Sequence, residues 1–391
     1  MTATKITEIE TFCVPPRWIF VRLTTQDGHM GWGEAIVPRR RHAVLGAIKD
    51  LTAVVVGQDA RRIEELWQRM RRSGFFRGGP VLATATAAIE QALWDLAGKR
   101  LGVPVHEMLG GRVRERIPVY AWIGGDRPRD LVADAQVRLE QGFRVVKLNA
   151  TEEVDYIASN SDVDQVVERI GALRDAFGSR LDIAVDFHGR VHRPMARTLL
   201  AELAQFRLLW IEEPLSPGHE DHLVELSRAS GGQVRLATGE RLTSRWDFRK
   251  LLTLGGVDIL QPDVSLTGLF ELEKICRMAE AFDVAVVPHC PNGPISLAAS
   301  LQVASACLNV PLHEQSIGLH YHRDATGATL AEPGDYLVDA TPLTPVDGHV
   351  PVPEAPGLGL TLDTASVQAR ETEWQVADPH WRHADGRIAE W

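Results

Sequence analysis

The chain is poor in cysteine, has no long apolar run and carries no long basic block. Its 391 residues include four cysteines, Cys13, Cys276, Cys290 and Cys307, and no two form a Cys-x-x-Cys pair. That spacing argues against a disulfide scaffold and against the common thiolate zinc and redox motifs; buried free thiols in a reducing compartment are expected. No apolar run approaches the ~18 residues that suggest a membrane span. The opening MTATKITEIETF lacks the apolar core of a secretory signal, so a cytoplasmic location is expected. Net charge is −10 and no basic block longer than Arg39-Arg40-Arg41 appears, which argues against nucleic acid or an anionic membrane as partner. No repeat of solenoid period is visible.

What is present is an ordinary globular balance, 45% hydrophobic and 24% charged. The length suits a barrel of ~250 residues plus a second module. Residues 1–117 read as an α+β cap. ITEIETFCV, IFVRLTT and GHMGWGEAI have strand character, with a hairpin signal at Asp27-Gly28. Helical periodicity follows over about 42–56, 61–72 and 82–100, where Ala85, Ile89, Leu93 and Leu96 share a face. Residues 118–323 change grammar: short apolar strands alternate with amphipathic helices, the pattern of a parallel sheet with right-handed crossovers. The expected fold is therefore α/β, a barrel behind a cap. Residues 324–391 form a third segment, a Pro-, Gly- and Asp-rich loop over 324–358 and an end, WRHADGRIAEW, expected to pack back on the cap.

The barrel strands end in polar residues: Lys147 and Asn149, Asp186 and His188, Glu212 and Glu213, Glu240, Asp263, His289, Glu314. From Asp186 the spacings are 26, 28, 23, 26 and 25 residues, one strand-helix period each. One acid after a strand is most often a helix cap or a surface group. Consecutive strands ending this way place a ring of such groups at the C-terminal mouth of a barrel, where barrel enzymes keep their chemistry.

Asp186, Glu212 and Glu240 come from neighbouring strands. Crowded carboxylates repel unless a cation joins them, and an all-oxygen set suits Mg²⁺; the alternative is plain ion pairs to Lys147 and Arg241. Glu213 faces the other way by alternation. Asp263 and His289 end adjacent strands, as an oriented general base would, although a core histidine bonded to a carbonyl looks the same in sequence. Lys147 suits a developing enolate oxygen. Glu314 is expected to hold the substrate carboxylate or, protonated, the enolate. His188 shares the face of Asp186 and stands across the mouth from His289. One histidine takes a proton and the other assists a leaving hydroxide, which together describe β-elimination of water from a hydroxy acid.

These motifs, DFHGRV, IEEP, GER, ILQPD, PHCP and EQS among them, resemble the enolase superfamily in its mandelate racemase-like branch, and the likeness covers nearly the whole chain. The resemblance implies a modified TIM barrel, (β/α)₇β, with an N-terminal α+β cap completed by the C-terminal tail. It implies Mg²⁺ on Asp186, Glu212 and Glu240, proton removal at C2 by His289 paired with Asp263, and His188 as the acid. Lys147, Asn149 and Glu314 would surround the substrate carboxylate, and Arg17 and Trp18 of the cap would contact the rest of the substrate. Racemases of this branch carry a second lysine where this chain has Asn149, so dehydration of an acid sugar fits better. Cap stretches such as PPRWIFVRL and GFFRGGP point to D-galactonate; another aldonate or a diacid, a racemase or cycloisomerase, and a non-catalytic binder are the alternatives. The family pattern Ser-His-Ala-Gly-Gly after the dyad aspartate is replaced here by Ser265-Leu266-Thr267-Gly268-Leu269. By family analogy a homo-oligomer, an octamer, is expected.

Overall fold

The computed structural model describes residues 4–324, 326–374 and 380–390. The cap opens with an antiparallel sheet of β1 (Ile6–Val14), β2 (Trp18–Thr25) and β3 (Met30–Ala35). The Asp27-Gly28 turn joins β2 to β3, with Gly28 at φ 79°, a conformation glycine reaches without steric cost. Then come α1 (Arg41–Val55), α2 (Ile63–Arg72), α3 (Pro80–Leu101) and the single turn α4 (Val105–Met108). Ala85, Ile89, Leu93 and Leu96 are buried on α3, as their spacing requires. The sheet lies so close to this helix that a Cβ at Gly33 would meet the Ala88 carbonyl oxygen at 1.8 Å.

The barrel follows as β4 (Arg116–Trp122), α5 (Leu131–Glu140), β5 (Val145–Asn149), α6 (Asn160–Phe177), β6 (Asp182–Asp186), α7 (Arg193–Leu203), β7 (Ile211–Glu212), α8 (Leu223–Ala229), β8 (Leu236–Thr238), α9 (Arg245–Leu254), β9 (Ile259–Leu260), α10 (Val264–Glu280), β10 (Ala285–Val286), α11 (Pro294–Ala306) and β11 (His313–Glu314). Seven helices thus separate eight parallel strands, the (β/α)₇β order. Neighbours run from β10 through β9 to β4 and on to β11. Val286 N donates to Asn309 O, and Glu314 N to Pro288 O, linking the two ends of that series.

Two buried carboxylates join cap to barrel. Glu34 of β3 accepts from Gly293 N, Ile295 N and Ser296 N at the start of α11. Glu90 of α3 accepts from Leu269 N and Phe270 N, where α10 breaks at Gly268, φ 77°. A Cβ at Gly268 would meet Glu90 Oε2 at 2.6 Å, so the altered 265–269 stretch is fitted to the cap. A carboxylate at a helix N-terminus satisfies N–H groups that the helix leaves unpaired.

The C-terminal segment divides its contacts. Within the long loop, β12 (His349–Pro351) adds antiparallel to the start of β4, and α12 (Thr364–Ala369) follows. The chain then touches the cap, where Thr372 N donates to Cys13 O and Trp374 Nε1 to Trp18 O. The final stretch differs from expectation: its described residues lie against barrel loops, with Arg387 paired to Asp155 at 2.6 Å. All four cysteines are free thiols. Among the described residues no helix is long and apolar enough to cross a membrane.

Candidate active site

The strand ends converge on a cavity of about 370 Å³ between barrel mouth and cap, lined from the barrel by Asp186, His188, Glu240, Asp263 and His289 and from the cap by Arg17, Ile36, Val37 and Pro38. Each ligand atom of Asp186, Glu212 and Glu240 lies within 4.8 Å of the others. Burial pushes the Asp186 and Glu240 carboxyls up, and the neighbouring carboxylates add to that. Asp186 Oδ1 accepts from His188 N at 2.6 Å, but Oδ2 is buried with no hydrogen-bond partner. Both ion pairs weighed from sequence are also present: Lys147 Nζ lies 2.5 Å from Glu212 Oε1, and Arg241 Nη2 lies 3.6 Å from Glu240 Oε1. These cations do not cancel the cluster, because Lys147 also serves Glu314 and Arg241 also serves Glu213. An orphaned oxygen, an all-oxygen donor set and surplus negative charge fit a hard divalent cation.

His289 Nδ1 is 2.7 Å from Asp263 Oδ2. Asp263 is itself held by Ser265 N and Asn292 Nδ2 through its other oxygen, at 2.7 and 2.9 Å. That leaves His289 Nε2 facing the cavity, 3.5 Å from Glu240 Oε2. Burial alone would lower the imidazole pKa, but Glu240, Glu314 and Asp263 push it up to about 10; a cation held by Glu240, the strongest of the three, would cancel that push and let Nε2 act as a base.

His188 reaches the same cavity by a route that alternation did not supply. β6 stops at Asp186, and His188 sits in a left-handed turn at φ 53°. Its carbonyl accepts from Arg241 Nη2 at 2.9 Å, and its Nδ1 is 3.4 Å from Arg190 Nη2. Because guanidinium only donates, that contact makes Nδ1 an acceptor and leaves the proton on Nε2.

Other expected residues stand elsewhere. Lys147 is fully buried beneath the cavity between Glu212 and Glu314 and is not part of its wall. Glu314 is likewise buried. It accepts from Trp122 Nε1 and, at 2.7 Å, from Cys290 N. Burial works against its charge, yet Lys147, His289 and these donors hold the carboxyl below its usual range, so it is ionised rather than a protonated donor. Asn149 Nδ2 donates to Gly125 O and Asp126 O, tying a loop rather than facing the cavity. Trp18, expected as a substrate contact, is fully buried in the cap core, edge-on to Tyr336 and His322. Its position opening β2 turns the ring inward. Arg17 does line the cavity, 3.8 Å above the Tyr321 ring.

Glu213 stays out of the acidic cluster and accepts from Thr238 Oγ1, Gly239 N and Arg241. Sequence reading missed the positioning work of Arg241, Arg190 and Asn292, whose partners are distant in the chain. The GER and HGR contexts were the only local signals.

The N-terminal domain model of the mandelate racemase / muconate lactonizing enzyme family matches residues 11–110, and the enolase C-terminal domain-like model matches residues 130–366. The chain belongs to the enolase superfamily. Relatives in this superfamily include proteins named D-galactonate dehydratase from Ralstonia pickettii strain 12J, 46% identical, and Variovorax paradoxus strain S110, 45% identical; both matches cover 99% of this chain and 100% of the relative. Among solved superfamily structures, an enolase from Agrobacterium radiobacter with sodium and L-malate bound superposes with a TM-score of 0.88 at 30% identity, over 98% of this chain and 99% of that one. A member from Salmonella Typhimurium gives 0.84 at 28% identity, over 93% and 98%.

Proposed function

We propose that this chain removes water from D-galactonate to give 2-dehydro-3-deoxy-D-galactonate. The observation that carries this reading is the placement of two histidines on one cavity, His289 backed by Asp263 and His188 backed by Arg190, beside the Asp186–Glu212–Glu240 carboxylates. Full-length similarity to proteins of that name supports the choice of substrate.

The acidic cluster fits Mg²⁺, with Asp186, Glu212 and Glu240 as its ligands. When bound, the ion would supply positive charge to offset the negative charge that grows on the substrate carboxylate as C2 loses its proton. His289 Nε2 accepts that proton, and Asp263 stabilises the imidazolium that results. His188, on the cavity wall, donates from Nε2–H to the C3 hydroxyl as it departs. Lys147 holds Glu212 and Glu314 from below. Arg17 offers donors to the substrate from the cap.

Racemisation is the weaker reading. It needs a second base on the opposite face, Asn149 is engaged with two carbonyls, and no lysine lines the cavity among the described residues. The four free thiols support a reducing compartment, the cytoplasm, and assembly into an octamer, expected by analogy, is checked by sedimentation. The test of function is an assay of D-galactonate with Mg²⁺, reading the 2-keto-3-deoxy product. Turnover supports the proposal; exchange of the C2 proton with the C3 hydroxyl retained would replace it with an isomerase.

A further inference from the structure

The sequence motif WRHADGRIAEW has no role in the chemistry above, yet its described residues form a small hairpin at the barrel mouth. Ala389 N donates to Trp381 O and His383 N to Arg387 O, both at 2.9 Å. Arg382 bridges Ile388, and Asp385-Gly386 makes the turn, with Gly386 at φ 88°. Two anchors fix the hairpin to loops that serve the site. The Trp381 ring lies 4.6 Å from the Arg127 guanidinium and 4.5 Å from that of Arg190, which itself contacts His188. Arg387 pairs with Asp155 through Nη2, at 2.6 Å. The hairpin ends by placing Glu390 on the wall of the catalytic cavity, where it also borders a smaller cavity lined by Tyr156 and His192.

We infer that Glu390 is a specificity residue: its carboxylate accepts hydrogen bonds from the hydroxyl tail of an aldonate and repels the second carboxylate of an aldarate. This rests on the acid-sugar reading above. An aldonate carries one carboxylate, which the acidic cluster and its cation hold, and a tail of neutral hydroxyl donors. A carboxylate is an acceptor that takes more than one such donor. An aldarate of the same length ends in a second anion, and like charges brought together across a binding site are costly, which separates two ligands of otherwise equal shape. The hairpin holds Glu390 through contacts with the barrel, so the discrimination is built into the mouth itself.

The test compares D-galactonate with galactarate, identical except at C6. The readouts are KM and kcat for the first, the inhibition constant of the second, and both dissociation constants by calorimetry in Mg²⁺. In Glu390→Gln, galactarate should bind about tenfold tighter or more relative to D-galactonate, with an unchanged melting temperature. Arg387→Ala, which loosens the hairpin without touching the catalytic cavity, should narrow the same ratio. An unchanged ratio in both variants overturns the inference, and a parallel loss of affinity for both sugars assigns Glu390 a purely structural role and overturns it too. If the wild type fails to turn over D-galactonate, the functional reading fails by itself. The calorimetric ratio still decides the role of Glu390.

Discussion

Lys147 bridges Glu212 and Glu314, its Nζ 2.5 Å from one carboxylate and 3.1 Å from the other, with all three side chains fully buried. Those carboxylates hold the ammonium charge in place, well above its ordinary pKa, although burial opposes it. Taking the lysine away would leave two anions uncompensated in the barrel. Loss of one partner from a buried pair costs about 3–5 kcal/mol. Lys147→Met should therefore lower unfolding free energy by about that amount in urea titrations, and Mg²⁺ should restore part of it. A variant as stable as wild type would show that the carboxylates take up protons instead.

The two histidines divide the reaction between them, and their variants should fail at different steps. His289→Asn and Asp263→Asn should each cut kcat by about 10²–10⁴, with no deuterium entering C2 from D₂O in His289→Asn. His188→Asn should lose product formation by a similar factor while C2 exchange continues, because His289 and Asp263 are untouched. Proton NMR of recovered substrate separates the cases. Exchange persisting in His289→Asn would take the base role away from it.

Much of this site was legible because a strand–helix period of about 25 residues carries strand ends to one ring. Asp186, Glu212, Glu240, Asp263 and His289 all follow from that arithmetic. The rest was hidden for physical reasons. Trp18 stands beside a cavity-lining arginine, yet its ring turns inward into the cap core. Lys147 and Glu314 end barrel strands as expected, but point below the cavity, where they satisfy each other. His188 owes its place to a left-handed turn held by Arg241, a contact 53 residues apart in the chain. Glu390 depends on how a hairpin docks, which neither periodicity nor spacing encodes.

The acidic cluster should make stability metal-dependent. A ligand that binds only the folded state stabilises it by RT ln(1 + [L]/Kd), about 2.7 kcal/mol at 100 times Kd. Calorimetric melting should rise steadily with Mg²⁺ concentration in the wild type. Asp186→Asn removes the ligand that has an unpartnered oxygen and should flatten that response and abolish turnover. A Mg²⁺ response equal to that of the wild type would place the stabilising ion elsewhere.

Glu34 should make stability fall with rising pH. Burial pushes its carboxyl up to about 7, against the opposing pull of three backbone N–H donors from the start of α11. In the unfolded chain the same group titrates near 4.5. Between those values the folded state keeps a proton that the unfolded state has released. The contribution is therefore complete below about pH 4.5 and is lost as pH rises through 7, at up to about 1.4 kcal/mol per pH unit for one proton. Glu90, pushed up to about 8 by burial, acts in the same direction at the other cap–barrel joint. Urea unfolding of wild type and Glu34→Gln from pH 5 to 8 isolates the first group, because the second is common to both. The variant starts less stable, since an amide nitrogen cannot accept from the helix N–H groups, but its stability should decline less with pH. Parallel curves would mean that the helix donors win over burial and keep Glu34 ionised in the folded protein throughout.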